Sequence, residues 1–217
     1  MEDDREKILA SIRRGIRGSD RISADRSSKS PLFARIGNDF KSRFAKFSSE
    51  LSALGGEAFV AQTEADASEL ILARIEPNTS LFIYDDIRTN YGAFTSLLTE
   101  SRQARFGIEF GPGYDKREVA IFDSAVSGCL ACVAETGSIV MKTDMRLPAA
   151  LAARLFILAK ESQMLPTLDE LFTDRFSNFE GSNLFLVTGP SRTADIEKEL
   201  VTGVHGPKEI IVIFLQH

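Results

Sequence analysis

The chain has 217 residues, 43% of them hydrophobic, which suits one large domain, or one domain with an N-terminal appendage, and a substantial core. A formal net charge of −5 argues against general nucleic-acid binding, because a phosphate backbone is held mainly through Lys and Arg. No apolar run approaches the roughly 18–20 residues of a membrane span. The mixed-charge start Met1-Glu2-Asp3-Asp4-Arg5-Glu6-Lys7 lacks the basic and apolar regions of a signal peptide, so a cytoplasmic protein without a membrane span is expected.

Residues 3–17 carry Ile8, Ile12 and Ile16 at helical spacing, and Arg13, Arg14 and Arg17 suit the negative end of that helix as a solvated face. Gly18–Ser30 is polar and Ser-rich and reads as a flexible linker. Residues 1–30 thus form a helix and linker, and 31–217 an α/β domain. A second helix is expected over Leu32–Ala53, with Phe33, Ile36, Phe40, Phe44, Phe47 and Leu51 on one face and Gly55-Gly56 ending it. The chain then alternates: strand Glu57–Ala61, helix Thr63–Ile75 opened by a Thr63/Asp66 capping-box variant, strand Ser80–Tyr84, helix Tyr91–Ser101 and short strand Gly107–Phe110. A β-rich block follows at Val119–Phe122, Leu130–Ala134 and Ser138–Thr143. Beyond it come helix Leu147–Ala153, strand Leu155–Ala159, helix Leu168–Asn178, strand Leu184–Val187, helix Thr193–Leu200 and strand Ile210–Leu215. This alternation predicts an α/β fold with a mostly parallel sheet covered by helices on both faces.

Three segments could carry chemistry. In Thr188-Gly189-Pro190-Ser191-Arg192-Thr193-Ala194-Asp195-Ile196-Glu197 a strand is expected to turn into a helix. Helix N-terminal amides would then gather at the strand's carboxyl end, a natural anion site, with the Ser191 and Thr193 hydroxyls at its mouth. The plain alternative is an ordinary junction with a Ser or Thr cap. In Ala134-Glu135-Thr136-Gly137-Ser138, a carboxylate, two hydroxyls and backbone amides share one turn. Glu135 could serve as nucleophile or general base, or the segment could be a β-turn in which Gly137 supplies positive φ. In Gly203-Val204-His205-Gly206-Pro207, His205 is either a general acid or base, or a turn residue. The two cysteines, Cys129 and Cys132, are spaced C-x-x-C and read as small core thiols; two cysteines cannot alone hold a four-cysteine iron–sulfur cluster, and no metal site is expected. There is no G-x-G-x-x-G and no Walker A motif.

Together these segments resemble the LUD-domain, or lactate-utilisation protein C, family. The resemblance rests on Ser127-Gly128 through Ala134-Glu135-Thr136-Gly137-Ser138-Ile139-Val140 with Arg146-Leu147-Pro148, on Thr188 to Glu197, and on Gly203 to Pro207. It covers roughly Val119 to the C-terminus; Phe33–Asp86 fits in pattern only. It implies a three-layer αβα sandwich similar to the sugar-phosphate isomerase and CoA-transferase class. It also implies a role in oxidising L-lactate to pyruvate within a three-protein set whose other members, iron–sulfur oxidoreductase subunits, carry the clusters. No cofactor is expected in this chain. The expected site has Glu135-Thr136-Gly137-Ser138 facing Gly189, Ser191, Arg192 and Thr193 at the sheet's carboxyl edge around a small anionic ligand. Glu135 would be the reactive or orienting carboxylate, with Asp195 or His205 in support. The alternative is a stand-alone enzyme acting on a small anionic or CoA- or nucleotide-activated metabolite at the Glu135 turn.

Overall fold

A computed structural model describes Lys7 and residues 36–76, 80–100, 105–106, 122–142, 152–172, 184–194, 200–202 and 206–216. The chain divides into Met1–Arg35 and Ile36–His217. Of the first unit only Lys7 is described, and it is helical; the expected linker lies outside the described residues.

In the second unit, helix α1 (Phe40–Ala53) starts well after the expected Leu32. The Asp39 carboxylate fixes that start by accepting the Ser42 amide and hydroxyl at 2.8 and 2.7 Å. These bonds hold the Asp39 carboxyl below its usual range, the Ser42 amide contributing most. Gly55, at φ 90°, turns the chain into β1 (Glu57–Ala61). Helix α2 (Glu64–Leu72) opens with the expected capping box between Thr63 and Asp66. β2 (Ser80–Ile83) leads into the short helix α3 (Asp85–Asn90), which the sequence pattern did not reveal, then α4 (Gly92–Glu100) and β3 (Arg105–Phe106). β4 (Ser124–Gly128) lies outside the expected strands; the strand expected at Gly107–Phe110 lies outside the described residues, and of that expected at Val119–Phe122 only Phe122 is described, and it is not in a strand.

β5 (Ala131–Val133), β6 (Ser138–Lys142) and β7 (Arg154–Lys160) follow. Of the expected Leu147–Ala153 helix only Ala152 and Ala153 are described, and they are not helical. A 3-10 turn leads to β8 (Met164–Leu165), and a second 3-10 turn, Leu168–Phe172, stands where a helix was expected. Then come β9 (Leu184–Val187), β10 (Arg192–Ala194), β11 (Leu200–Thr202) and β12 (Glu209–Leu215). The expected Thr193–Leu200 helix is corrected: β10 and β11 pair antiparallel, Thr193 opposite Val201. The β-branched Thr193, Val201 and Thr202 favour extended backbone. The Ser191 amide just upstream is bonded to the Pro207 carbonyl at 2.8 Å, which docks this segment beside the approach to β12.

The central sheet has the order β1-β12-β7-β4-β2-β3, and every pairing in it is parallel. Its strands are apolar on both faces, as a covered parallel sheet requires. Along β12, Ile210, Val212 and Phe214 join one core with Phe47 and Leu51 of α1. Ile211, Ile213 and Leu215 join the other with Ala67 and Ile71 of α2 and Phe94 and Leu98 of α4. The second sheet, order β8-β5-β6-β9, shares the α1 side. Its Cys132, Ile139 and Met141 enter the α1 core, while Ala131, Val133 and Val140 pack with Leu165 and Leu171 on its far face. The result is an α/β fold with a mostly parallel central sheet: helices cover one face, and α1 with a small sheet covers the other.

Candidate functional site

Two of the motif segments meet at the C-terminal end of α1, and the described end of the third, Gly206-Pro207, docks on the second. Gly137, at φ 65°, lies so close to this helix that a Cβ would stand 2.6 Å from the Leu51 nitrogen. Gly189, at φ 98°, abuts Leu54; a Cβ there would be 2.8 Å from the Leu54 Cβ. Gly206 packs on Ser191, where a Cβ would be 3.0 Å from the Ser191 Cβ. Gly137 and Gly189 are therefore required by conformation and by close approach to α1. The Thr136 hydroxyl donates to Ser138 Oγ at 2.7 Å, and Ser138 Oγ lies 2.8 Å from Thr188 Oγ1. A chain of three hydroxyls thus joins the Glu135 turn to the end of β9.

The half-buried Glu135 carboxylate accepts the Leu168 amide at 3.0 Å and so caps the second 3-10 turn. The Glu135 amide donates to the Pro166 carbonyl at 3.0 Å. Arg192 and Thr193 lie in β10; Asp195 and His205 lie outside the described residues. The cluster sits at the amino edge of the central sheet, because α1 ends there and Pro207 leads into β12. The expected carboxyl-edge location is corrected for a topological reason: β9 belongs to the second sheet, so its end does not mark the edge of the parallel one.

The carboxyl edge holds polar groups that lie outside the three motif segments. The chain leaves β2 for β3 in one direction and leaves β4 for β7 in the other, so the β2/β4 gap is the switch point of the parallel sheet. Open α/β sheets bind ligands at such a crevice. There Asp86 accepts the Gly128 amide at 3.2 Å, and a Cβ at Gly128 would fall 2.2 Å from the same carboxylate oxygen. Next to it, Gln163 accepts the Lys160 amide at 2.7 Å and donates to the Cys129 carbonyl, tying the ends of β7 and β4 together. The Lys160 ammonium stands 5.7 Å from the centre of the Tyr91 ring. Burial raises the Tyr91 phenol well above its usual range, with Cys129, Asp86 and Glu64 adding to the effect. The signal in the sequence was Asp85-Asp86 directly after an apolar strand, but its value depends on strand order.

Cys129 and Cys132 are both buried in the α1 core with their sulfurs 3.8 Å apart. Burial pushes the Cys132 thiol up, away from the thiolate that redox or metal chemistry would use. Among the described residues no three His, Cys, Asp or Glu side chains gather as metal ligands.

A parallel central sheet with a carboxylate at its switch point and motif turns beside α1 define a mixed α/β domain. The LUD domain profile matches residues 44–215, and the chain belongs to the LUD domain family. It is 32% identical over 109 residues to lactate utilization protein C of Deinococcus radiodurans, a match covering 47% of this chain and 50% of that one. It is 26% identical over 170 residues to the uncharacterized protein YkgG of Escherichia coli, covering 75% of this chain and 64% of that one. The chain thus spans about half to two thirds of the length of these curated relatives. A crystal structure of a DUF162 family protein from Deinococcus radiodurans superposes with a TM-score of 0.62 at 17% identity, covering 82% of this chain and 99% of that one, and it shows the same fold.

Proposed function

We propose that this protein serves lactate utilisation, as a subunit or accessory of a cytoplasmic iron–sulfur system that oxidises L-lactate to pyruvate. The observation that carries this reading is that the Glu135 and Gly189 turns share the end of α1 and a hydroxyl chain, with Gly206-Pro207 docked on Ser191, in a chain of the LUD domain family whose relatives include proteins named lactate utilization protein C. The electrons of lactate oxidation would pass to clusters in partner subunits, because two cysteines cannot ligate a four-cysteine cluster. Among the described residues, no helix is long and apolar enough to cross a membrane. Thr136, Gly137, Ser138, Gly189, Ser191, Arg192 and Thr193 are the proposed contacts for a small carboxylate, with Glu135 orienting and Asp195 and His205 in support.

A second reading is a stand-alone enzyme acting on a small anionic or CoA- or nucleotide-activated metabolite at this turn; the half-buried Glu135 beside three linked hydroxyls favours it. One variant tests the turn. Glu135→Gln keeps an oxygen acceptor for the Leu168 amide, so the melting temperature should move by no more than a few degrees. Lactate-dependent pyruvate formation by the reconstituted system should be lost. Full activity in the variant would remove Glu135 from the mechanism, and activity without any iron–sulfur partner would favour the stand-alone enzyme.

A further inference from the structure

We infer that the carboxyl edge of the central sheet holds a second site, distinct from the motif cluster, for an organic anion with a sizeable apolar body. A cavity of about 420 Å³ opens there, between the start of α1 and the ends of β7 and β12. Phe40, Met164 and Leu215 give it an apolar lining; Arg43 and Lys160 supply cations and Asn38 an amide. Glu161 is the one carboxylate among its lining residues, so the local balance is positive.

Arg43 is positioned rather than merely present. Its Nε and Nη1 donate to the Gly37 and Met164 carbonyls at 3.4 and 3.3 Å, one from the segment before α1 and one from β8. A guanidinium held by two carbonyls keeps further N–H groups in a fixed fork for a carboxylate or phosphate. Lys160 ends β7 on the wall between the cavity and the switch point, and its amide is fixed by Gln163. Its long stem lets the ammonium leave the Tyr91 ring for an anion in the cavity.

Size decides the ligand class. A space of this volume falls in the range that holds molecules of nucleotide or drug dimensions, far more than lactate or pyruvate fills. The acidic group belongs near Arg43 and Lys160 and the apolar body against Phe40, Met164 and Leu215. Carboxylate and phosphate heads share this chemistry, so the probes separate them.

The experiment is titration calorimetry on the full chain with phenylpyruvate and adenosine monophosphate, each compared with its head alone, pyruvate and inorganic phosphate. The same titrations use Arg43→Gln and Lys160→Gln; the second keeps the two carbonyl bonds of Arg43 and guards against misfolding of the first. The inference predicts that at least one of the larger probes binds at least tenfold tighter than its head alone. That binding should weaken at least fivefold in Lys160→Gln and as the salt concentration rises. It is overturned if neither larger probe binds, if the heads bind as well as the whole molecules, or if the folded variants bind as the parent does. Pyruvate binding that ignores both substitutions would overturn this site and leave the lactate reading standing.

Discussion

Gly128 has no room for a methyl group: a Cβ would fall 2.2 Å from Asp86 Oδ2, the oxygen that accepts the Gly128 amide. Gly128→Ala must push that carboxylate aside, breaking a charge-assisted bond, and should cost about 1–3 kcal/mol. Asp86→Ala paired with it should recover part of the loss, a non-additivity readable by denaturant unfolding of the two single variants and the double. Additive losses would mean that the two residues are not coupled. The need for glycine at 137 is legible in the sequence as a turn between two strands. The need at 128 is not, because it comes from a carboxylate 42 positions earlier. Likewise the cysteines read as core thiols from their apolar neighbours, and they are buried, whereas the role of Glu135 as a cap for the Leu168 amide depends on a loop folded back from β8.

Among the described elements, β12 and α1 are joined by a cluster of aromatic rings. The Phe214 ring meets those of Phe40, Phe44 and Phe47 with centres 5.6, 5.8 and 5.5 Å apart, and Phe214 and Phe47 are fully buried. Phe214→Ala leaves a cavity between helix and sheet and should cost about 3–5 kcal/mol. Leu186→Ser, at an exposed position of β9, should change stability by less than about 0.5 kcal/mol. Chemical denaturation that ranked the two the other way would contradict this placement of the core. Strands such as β7 and β12 were legible because a strand covered on both faces is a nearly unbroken apolar run. The start of α1 was not: Phe33 and Ile36 continue the helical spacing, but the Asp39 cap overrides it. The β10–β11 pair is not legible because Gly-Pro-Ser followed by charged residues also suits a helix start, whereas the pairing with β11 and the bond to Pro207 are long-range.

For the whole molecule, ion pairs at the amino edge give a pH dependence with a definite sign. Arg154 Nε meets Glu209 Oε2 at 2.6 Å, joining β7 to β12. The hydrogen bond from Arg154 holds the Glu209 carboxyl below its ordinary value of 4.5, and the bond to Glu209 raises Arg154, which stays charged throughout. Stability from this pair is therefore present above the unfolded carboxyl value and lost as pH falls through the lowered folded one. The melting temperature should fall as pH drops below about 4.5, and Glu209→Gln should flatten part of that fall. The effect is modest because the Glu209 side chain is 54% exposed. An unchanged slope in the variant would refute the assignment. The α/β class was legible at this scale because β-α alternation repeats along the chain. Strand order was not: nothing local states that the last strand lies between β1 and β7. Without strand order, the switch point at Asp86 stays invisible and the motif turns are assigned to the wrong edge.

The most direct measurement of the central claim is growth on L-lactate as sole carbon source. It would compare cells of the source organism with and without this gene, complemented by the parent chain or by Glu135→Gln. Deletion should abolish that growth, the parent chain should restore it, and growth on pyruvate should be unaffected. Normal growth of the deletion strain on L-lactate, with no second gene of this family present, would contradict it.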